Sequence, residues 1–245
     1  MEKLTLKDFF TARNIVRTLD EGLYRFRDGI VDLAEAFARN FSQPVFIIDF
    51  YRQNLFYISD NLRLLFGQGN THFDYLSEAE RDMHLEIVDK AMGLLYTFPQ
   101  KERHDWTLSY SFYVQIGEKR RLMRVRASPL YLTPEGKVWL ALCSLSLSSR
   151  KEAGHPTLRN LHFLDYYKYS FRRQVWLHKE GINLTDIEKE ILIMSSQGYI
   201  MKEIAGKLGK SVDSIKFYKR QMFFKMGVEN ITEAVFTAHD NNLLH

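Results

Sequence analysis

The sequence predicts an α+β fold: an antiparallel five-stranded sheet with helices packed on it, followed by an all-α domain of four helices. Three observations lead there. Residues 106–116 alternate, with Trp106, Leu108, Tyr110, Phe112, Val114 and Ile116 on one side and Thr107, Ser109, Ser111, Tyr113 and Gln115 on the other, and a period of two marks a strand buried on one face. That strand sits in a series running strand, strand, helices, strand, strand, strand, the order of an antiparallel sheet with helices on one side. From Leu184 onward the pattern changes to short helices punctuated by caps and glycines.

The chain has 245 residues, of which 45% are hydrophobic and 14% aromatic, enough to bury the cores of two domains. The longest apolar run, Val138 to Cys143, falls far short of the roughly 20 residues of a membrane-spanning helix. Residues 1–8 mix charges and contain no apolar signal core. The single cysteine, Cys143, supports neither an internal disulfide nor a thiolate metal site. A cytoplasmic protein with no membrane partner and no cofactor is expected.

Four blocks follow one another. In residues 1–40, Leu23, Phe26, Ile30, Leu33 and Phe37 recur at spacings of three and four, a helical stripe that either caps the next block or pairs with a second chain. In residues 41–148, Val45–Phe50 and Leu55–Ser59 flank the polar turn Arg52-Gln53-Asn54 as a hairpin. A helix over Ser77–Tyr96 follows. Strands come next at 106–116, 122–132 and 138–147, separated by Gly117-Glu118-Lys119 and Thr133-Pro134-Glu135-Gly136. This order, opened by Pro44-Val45-Phe46-Ile47-Ile48-Asp49 and with Ser59-Asp60-Asn61 closing the second strand, resembles a PAS domain. The resemblance covers roughly Phe41 to Ser148 and implies a dimeric sensor of a small ligand, cofactor or partner protein.

Residues 149–180 hold the whole charge excess of the chain, seven bases against three acids, the flanking blocks being balanced. They are expected to form a basic linker that either adds phosphate contacts or is simply solvated. Its aromatic stretch, Tyr166 to Phe171 with Trp176, is too apolar for a free connector and should pack on a neighbouring domain.

Residues 181–245 carry the strongest local signals. Thr185 and Glu188 form a capping box, and Ile187, Ile191 and Met194 point inward. A second helix spans Met201–Leu208, Gly209-Lys210 turns the chain, Ser211 caps a third helix ending at Gly227, and Thr232 caps a fourth. Two short helices, a glycine turn and a longer capped helix make a helix-turn-helix. The spaced set Leu184-Thr185, Glu188, Ile191-Leu192, Gln197-Gly198, Lys202-Glu203-Ile204-Ala205, Leu208-Gly209, Ser211, Ser214-Ile215-Lys216, Lys225-Met226-Gly227-Val228 and Thr232-Glu233-Ala234-Val235 resembles the LuxR-type DNA-binding domain.

On the third helix, at about 100° per residue, Ile215, Tyr218, Met222 and Met226 share a core face, whereas Asp213, Lys216, Phe217 and Arg220 point away. Lys216 and Arg220 lie one turn apart, as reading adjacent base edges requires, and the resemblance implies base contacts at both. Phe217 either rests on a thymine methyl or is a ring packed within the domain or buried in a dimer contact. Lys202, Ser211, Ser214, Lys219 and Lys225 are expected at phosphates. Three positions depart from the family pattern: Ile200 in place of a capping serine or threonine, Tyr218 in place of a common histidine, and Gly206 within the second helix. The expected function is a sequence-specific, homodimeric DNA-binding regulator, with duplex DNA, a small-molecule or protein signal and RNA polymerase as candidate partners.

Other functions fit less well. There is no phosphate-binding glycine loop, His-Glu-x-x-His motif or nucleophile elbow, and an enzyme using Cys143 stays a remote alternative. His72, His84 and His104 are scattered rather than spaced as haem or metal ligands, and no cysteine follows Asn61 at the place a flavin photosensor needs. A phosphorylated receiver would need paired acids at its first strand. An acyl-homoserine-lactone receptor, which shares the domain order, is the alternative reading.

Overall fold

A computed structural model describes residues 6–41, 43–67, 71–148, 150–240 and 243. Residues 1–5 of the expected N-terminal segment, Ser149 of the expected linker and the outermost C-terminal residues lie outside them. The chain divides into two compact units, Met1–Lys179 and Glu180–His245.

The N-terminal unit is built from α1 (Arg27–Phe41), β1 (Val45–Asp49), β2 (Asn54–Ile58), α2 (Asp60–Phe66), α3 (Glu78–Leu95), β3 (Trp106–Ile116), β4 (Lys119–Leu132), β5 (Val138–Leu147), β6 (Gly154–Asn160), β7 (Tyr166–Ser170) and β8 (Val175–Lys179). The strands form one antiparallel sheet in the order β2-β1-β5-β4-β3-β6-β7-β8. Helix α3 starts at Ser77, whose hydroxyl accepts the Glu80 amide, and buries Ile87, Val88, Ala91, Met92 and Leu95 against Leu108, Tyr110, Phe112 and Val114 of β3. Each such side chain contributes roughly 1.5–3 kcal/mol, so this interface carries the unit.

The sheet has eight strands, not the expected five. Residues 154–179 are not a free linker: they make three more strands, and their aromatic side chains drive the pairing. Tyr169 donates to Glu86 Oε1 at 2.7 Å and the Trp176 indole to the Lys90 carbonyl at 3.0 Å, both on α3. The β7–β8 turn reverses through Gln174 at φ 54°, with no glycine or Asn-Gly pair to announce a hairpin.

The N-terminal helical stripe is also shifted. Helix α1 seats Ile30 and Ala34 on Ile47, Phe56, Trp139 and Leu140, while Phe26 and Leu33 of the expected stripe are 54% and 68% exposed.

The C-terminal unit contains α4 (Asp186–Ser196), α5 (Met201–Lys207), α6 (Val212–Met226) and α7 (Ile231–Asp240). Ile191 of α4, Ile204 and Ala205 of α5 and Ile215 of α6 make one core cluster. Leu184, Leu192, Met222, Met226, Ala234 and Ala238 make the other. Gly209 between α5 and α6 and Gly227 after α6 have φ of 60° and 64°, a left-handed backbone that glycine adopts without steric cost.

Candidate nucleic-acid interface

Helix α6 begins where the Ser211 hydroxyl accepts the Ser214 amide at 3.1 Å. Its inner side is settled by packing, since Ile215 and Met222 are fully buried, Met226 nearly so and Tyr218 partly. Asp213, Lys216, Phe217 and Arg220 are exposed on the other side. The sequence-predicted base readers therefore lie together on one open helix face.

Their immediate partners differ. Lys216 Nζ sits 3.1 Å from Asp213 Oδ1 one turn earlier; both groups are exposed, and a pair of this kind holds the lysine by only a fraction of a kcal/mol. Phe217 is 51% exposed and stands edge-on to Tyr218. Arg220 has no bonded partner among the described residues, which leaves its guanidinium fork free for the two acceptors of a guanine edge.

The five expected phosphate residues fall into separate groups. Lys202 is exposed at the start of α5. Ser211 and Ser214 share a hydroxyl contact of 2.9 Å at the cap of α6. Lys219 is partly buried, with its ammonium 5.8 Å from the Phe223 ring centre. Lys225, an exposed residue, places its Nζ 2.7 Å from Oε2 of Glu188, whose side chain is 2% exposed. Burial alone would raise the Glu188 pKa, but the bonds from Lys225 and Thr185 outweigh it and hold the carboxyl below its ordinary range. Glu188 so closes the α4 capping box, accepting the Thr185 amide at 2.8 Å, and neutralises Lys225. Sequence spacing had revealed the box, but not the lysine 37 residues away that completes it.

Ile200 gives α5 no side-chain cap, yet the Glu203 carboxylate still accepts the Ile200 amide at 2.9 Å. Half of a capping box thus survives the substitution.

The N-terminal unit contains a cavity of about 60 Å³ lined by Phe46, His72, Trp106, Tyr110, Val138 and Cys143, among others. At roughly 10–15 Å³ per water measured this way, it has room for a few waters' worth of ligand. His72 Nδ1 and Trp106 Nε1 face no hydrogen-bond partner among the described residues, nor does Nε2 of the neighbouring His84. Burial lowers both histidine pKa values, that of His84 to about 3, so both rings are neutral near pH 7. Their spacing in the sequence carries no motif, and only folding brings the rings to 6.1 Å. His104 is exposed and apart. Cys143 is buried, and burial pushes its thiol pKa up, away from the nucleophilic thiolate. Among the described residues no three His, Cys, Asp or Glu side chains gather to hold a metal ion. None of the described helices is long and apolar enough to cross a membrane.

The molecule thus joins an antiparallel α+β unit to a four-helix unit with an open third-helix face. Residues 182–238 match the family model described as bacterial regulatory proteins, luxR family (GerE), so this segment is a LuxR-type helix-turn-helix domain. No curated protein sequence matches the chain. Among solved structures it is similar to a phage VqmA–DPO complex, with 18% identity, 91% of this chain and 92% of that one covered, and a TM-score of 0.35. It is also similar to the Vibrio cholerae VqmA dimer without target DNA, with 14% identity, 83% and 88% covered, and a TM-score of 0.29. Identities and TM-scores this low transfer no function to this chain.

Proposed function

We propose that the chain is a cytoplasmic transcriptional regulator that binds duplex DNA sequence-specifically as a homodimer. In this reading α6 enters the major groove, and Lys216 and Arg220 read base edges with Phe217 beside them. Lys202, the α6 cap at Ser211 and Ser214, and Lys219 hold phosphates. The observation that carries it is the exposure of Lys216, Phe217 and Arg220 together on α6 within the LuxR-type segment.

The N-terminal unit, PAS-like in the order of its first five strands, acts as the sensor. Its cavity favours a compact, uncharged signal with one or two polar atoms, since Trp106 and His72 offer single unmet hydrogen bonds and the lining offers no counter-charge. The reading involves no cofactor and no reaction at Cys143.

Site selection from random-sequence duplex DNA, followed by gel-shift titration of the winners, tests the proposal. Enrichment of a two-fold related site is expected, with half-sites about one helical turn apart. Binding without sequence preference at every salt concentration would overturn it.

A further inference from the structure

The outer face of the sheet, opposite α3, is covered on one half only. Over β1, β2 and β5 it is apolar and lies under α1. Across β4, β3, β6 and β7 the pairing register sets out three cross-strand rows of another character. One row is Arg126–Ser109–Thr157–Lys168; the next is Thr107–Arg159–Tyr166, joined by Ser128, whose hydroxyl meets that of Thr107 at 2.8 Å. The third holds Arg124 beside Ser111. No Leu, Ile, Val, Met or Phe stands in these rows.

The cations crowd one another. From Trp106 to Lys179 the chain has thirteen lysines and arginines and four acids. No carboxylate pairs with Arg126, Arg150, Arg159 or Lys168 among the described residues. Arg159 is partly buried, stacked 3.7 Å from the Tyr166 ring centre. Burial, with Arg124 and Arg150 alongside, pushes its pKa down to about 10, still charged near neutrality. His155 is lowered too, by burial and then by Arg150 and Lys168, which outweigh Glu152. Folding has therefore gathered at least four cations at one place, a standing repulsion that an anionic partner relieves.

We infer that this half-face, led by Arg126, Arg159 and Lys168, is a phosphate-binding surface that grips the backbone of duplex DNA outside the bases read by α6. The inference rests on the DNA-binding reading above, which already supplies the polyanion. Ser109, Ser111 and Thr157 are buried beneath the long side chains, their hydroxyls bonded within the sheet, so the groups left to meet phosphates are the exposed Lys168 and the partly exposed Arg126 and Arg159. Arg126 and Lys168 are three strands apart, about 14 Å, which spans a groove about 12 Å wide from bank to bank. A lipid surface is the poorer match, because the rows have no apolar side chain to insert.

The full-length protein tests this with two duplexes carrying its selected site, one trimmed to about two helical turns and one with about two further turns on each side. Anisotropy titrations over a salt series compare the wild type with an Arg126→Ala/Lys168→Ala variant whose melting temperature is unchanged. On the long duplex the salt slope should fall by about two, near 0.9 for each lost cation. On the trimmed one it should not change. Equal slopes on the long duplex, or equal losses on both, overturn the inference. So does a loss confined to phosphatidylglycerol vesicles, which would assign the face to a membrane. Failure of the wild type to prefer any site would instead sink the regulator reading itself. Should the double variant melt early, exposed Lys168→Ala alone is read the same way, with a slope change near one.

Discussion

Tyr24 donates its hydroxyl hydrogen to Asp49 and accepts one from the Trp139 indole at 3.2 Å. One phenol so ties the chain ahead of α1 to both β1 and β5. Asp49 is fully buried, and its other oxygen accepts the Tyr51 and Arg52 amides at 2.9 Å each. Arg52 in turn lies over the Tyr24 ring at 3.7 Å.

Tyr24→Phe should leave Asp49 short of one donor and the Trp139 indole without an acceptor. Leaving such buried groups unsatisfied costs about 1–3 kcal/mol. Urea unfolding followed by tryptophan fluorescence measures the loss; an unchanged midpoint would show that the clasp contributes nothing.

Lys225→Met should destabilise the C-terminal unit rather than simply weaken DNA binding. The buried Glu188 carboxylate would lose its cation, a cost of about 1–2 kcal/mol once screening at the partly exposed lysine is allowed for. Because the Glu188 pKa is depressed on folding, its stabilisation is present above the ordinary value of 4.5 and is lost as pH falls through the lower folded value. Acid melts of the wild type should show that loss, and the variant should show less of it. Identical acid profiles would contradict the assigned pair.

Lys216→Ala and Arg220→Ala should relax base preference at neighbouring positions, by about 1–3 kcal/mol of discrimination each. Lys202→Ala should weaken all sequences alike. Repeating site selection with each variant separates these outcomes, and sequence-blind losses for all three would refute the division of roles.

The two buried histidines make the N-terminal unit acid-sensitive. Their folded pKa values are lowered, so below about 6.5 the unfolded chain binds more protons, and stability falls as pH drops toward about 3 for His84. Each contributes a slope of about 1.4 kcal/mol per pH unit. His84→Leu should flatten the histidine-linked slope while leaving the shares of His72 and of the likewise lowered His155, measured by urea melts across pH 5–7 at steps of about half a unit. An unaltered slope would place the sensitivity elsewhere.

Much of this molecule is legible in the sequence alone. Strand β3 was readable because its α3-facing side is apolar and its other side polar, so polarity alternates even though Ser109 and Ser111 are buried as well. The inner side of α6 was readable for the same reason at a helical period, which located Lys216, Phe217 and Arg220 by exclusion. Local chemistry also announced the caps at Thr185 and Ser211, whose partners lie three residues away.

What the sequence by itself determined, then, was each element whose signal is short-range: amphipathic period, cap and glycine turn. Tertiary structure decided what depends on contacts between distant residues. Strands β6 to β8 joined the sheet because Tyr169 and Trp176 found Glu86 and Lys90 on α3, more than 80 residues away in the chain. Lys225 was paired with the buried Glu188, and His72 and His84 were brought together in the interior. No local pattern encodes these meetings, because the energy that enforces them, burial of side chains against remote partners, exists only once the chain has closed on itself.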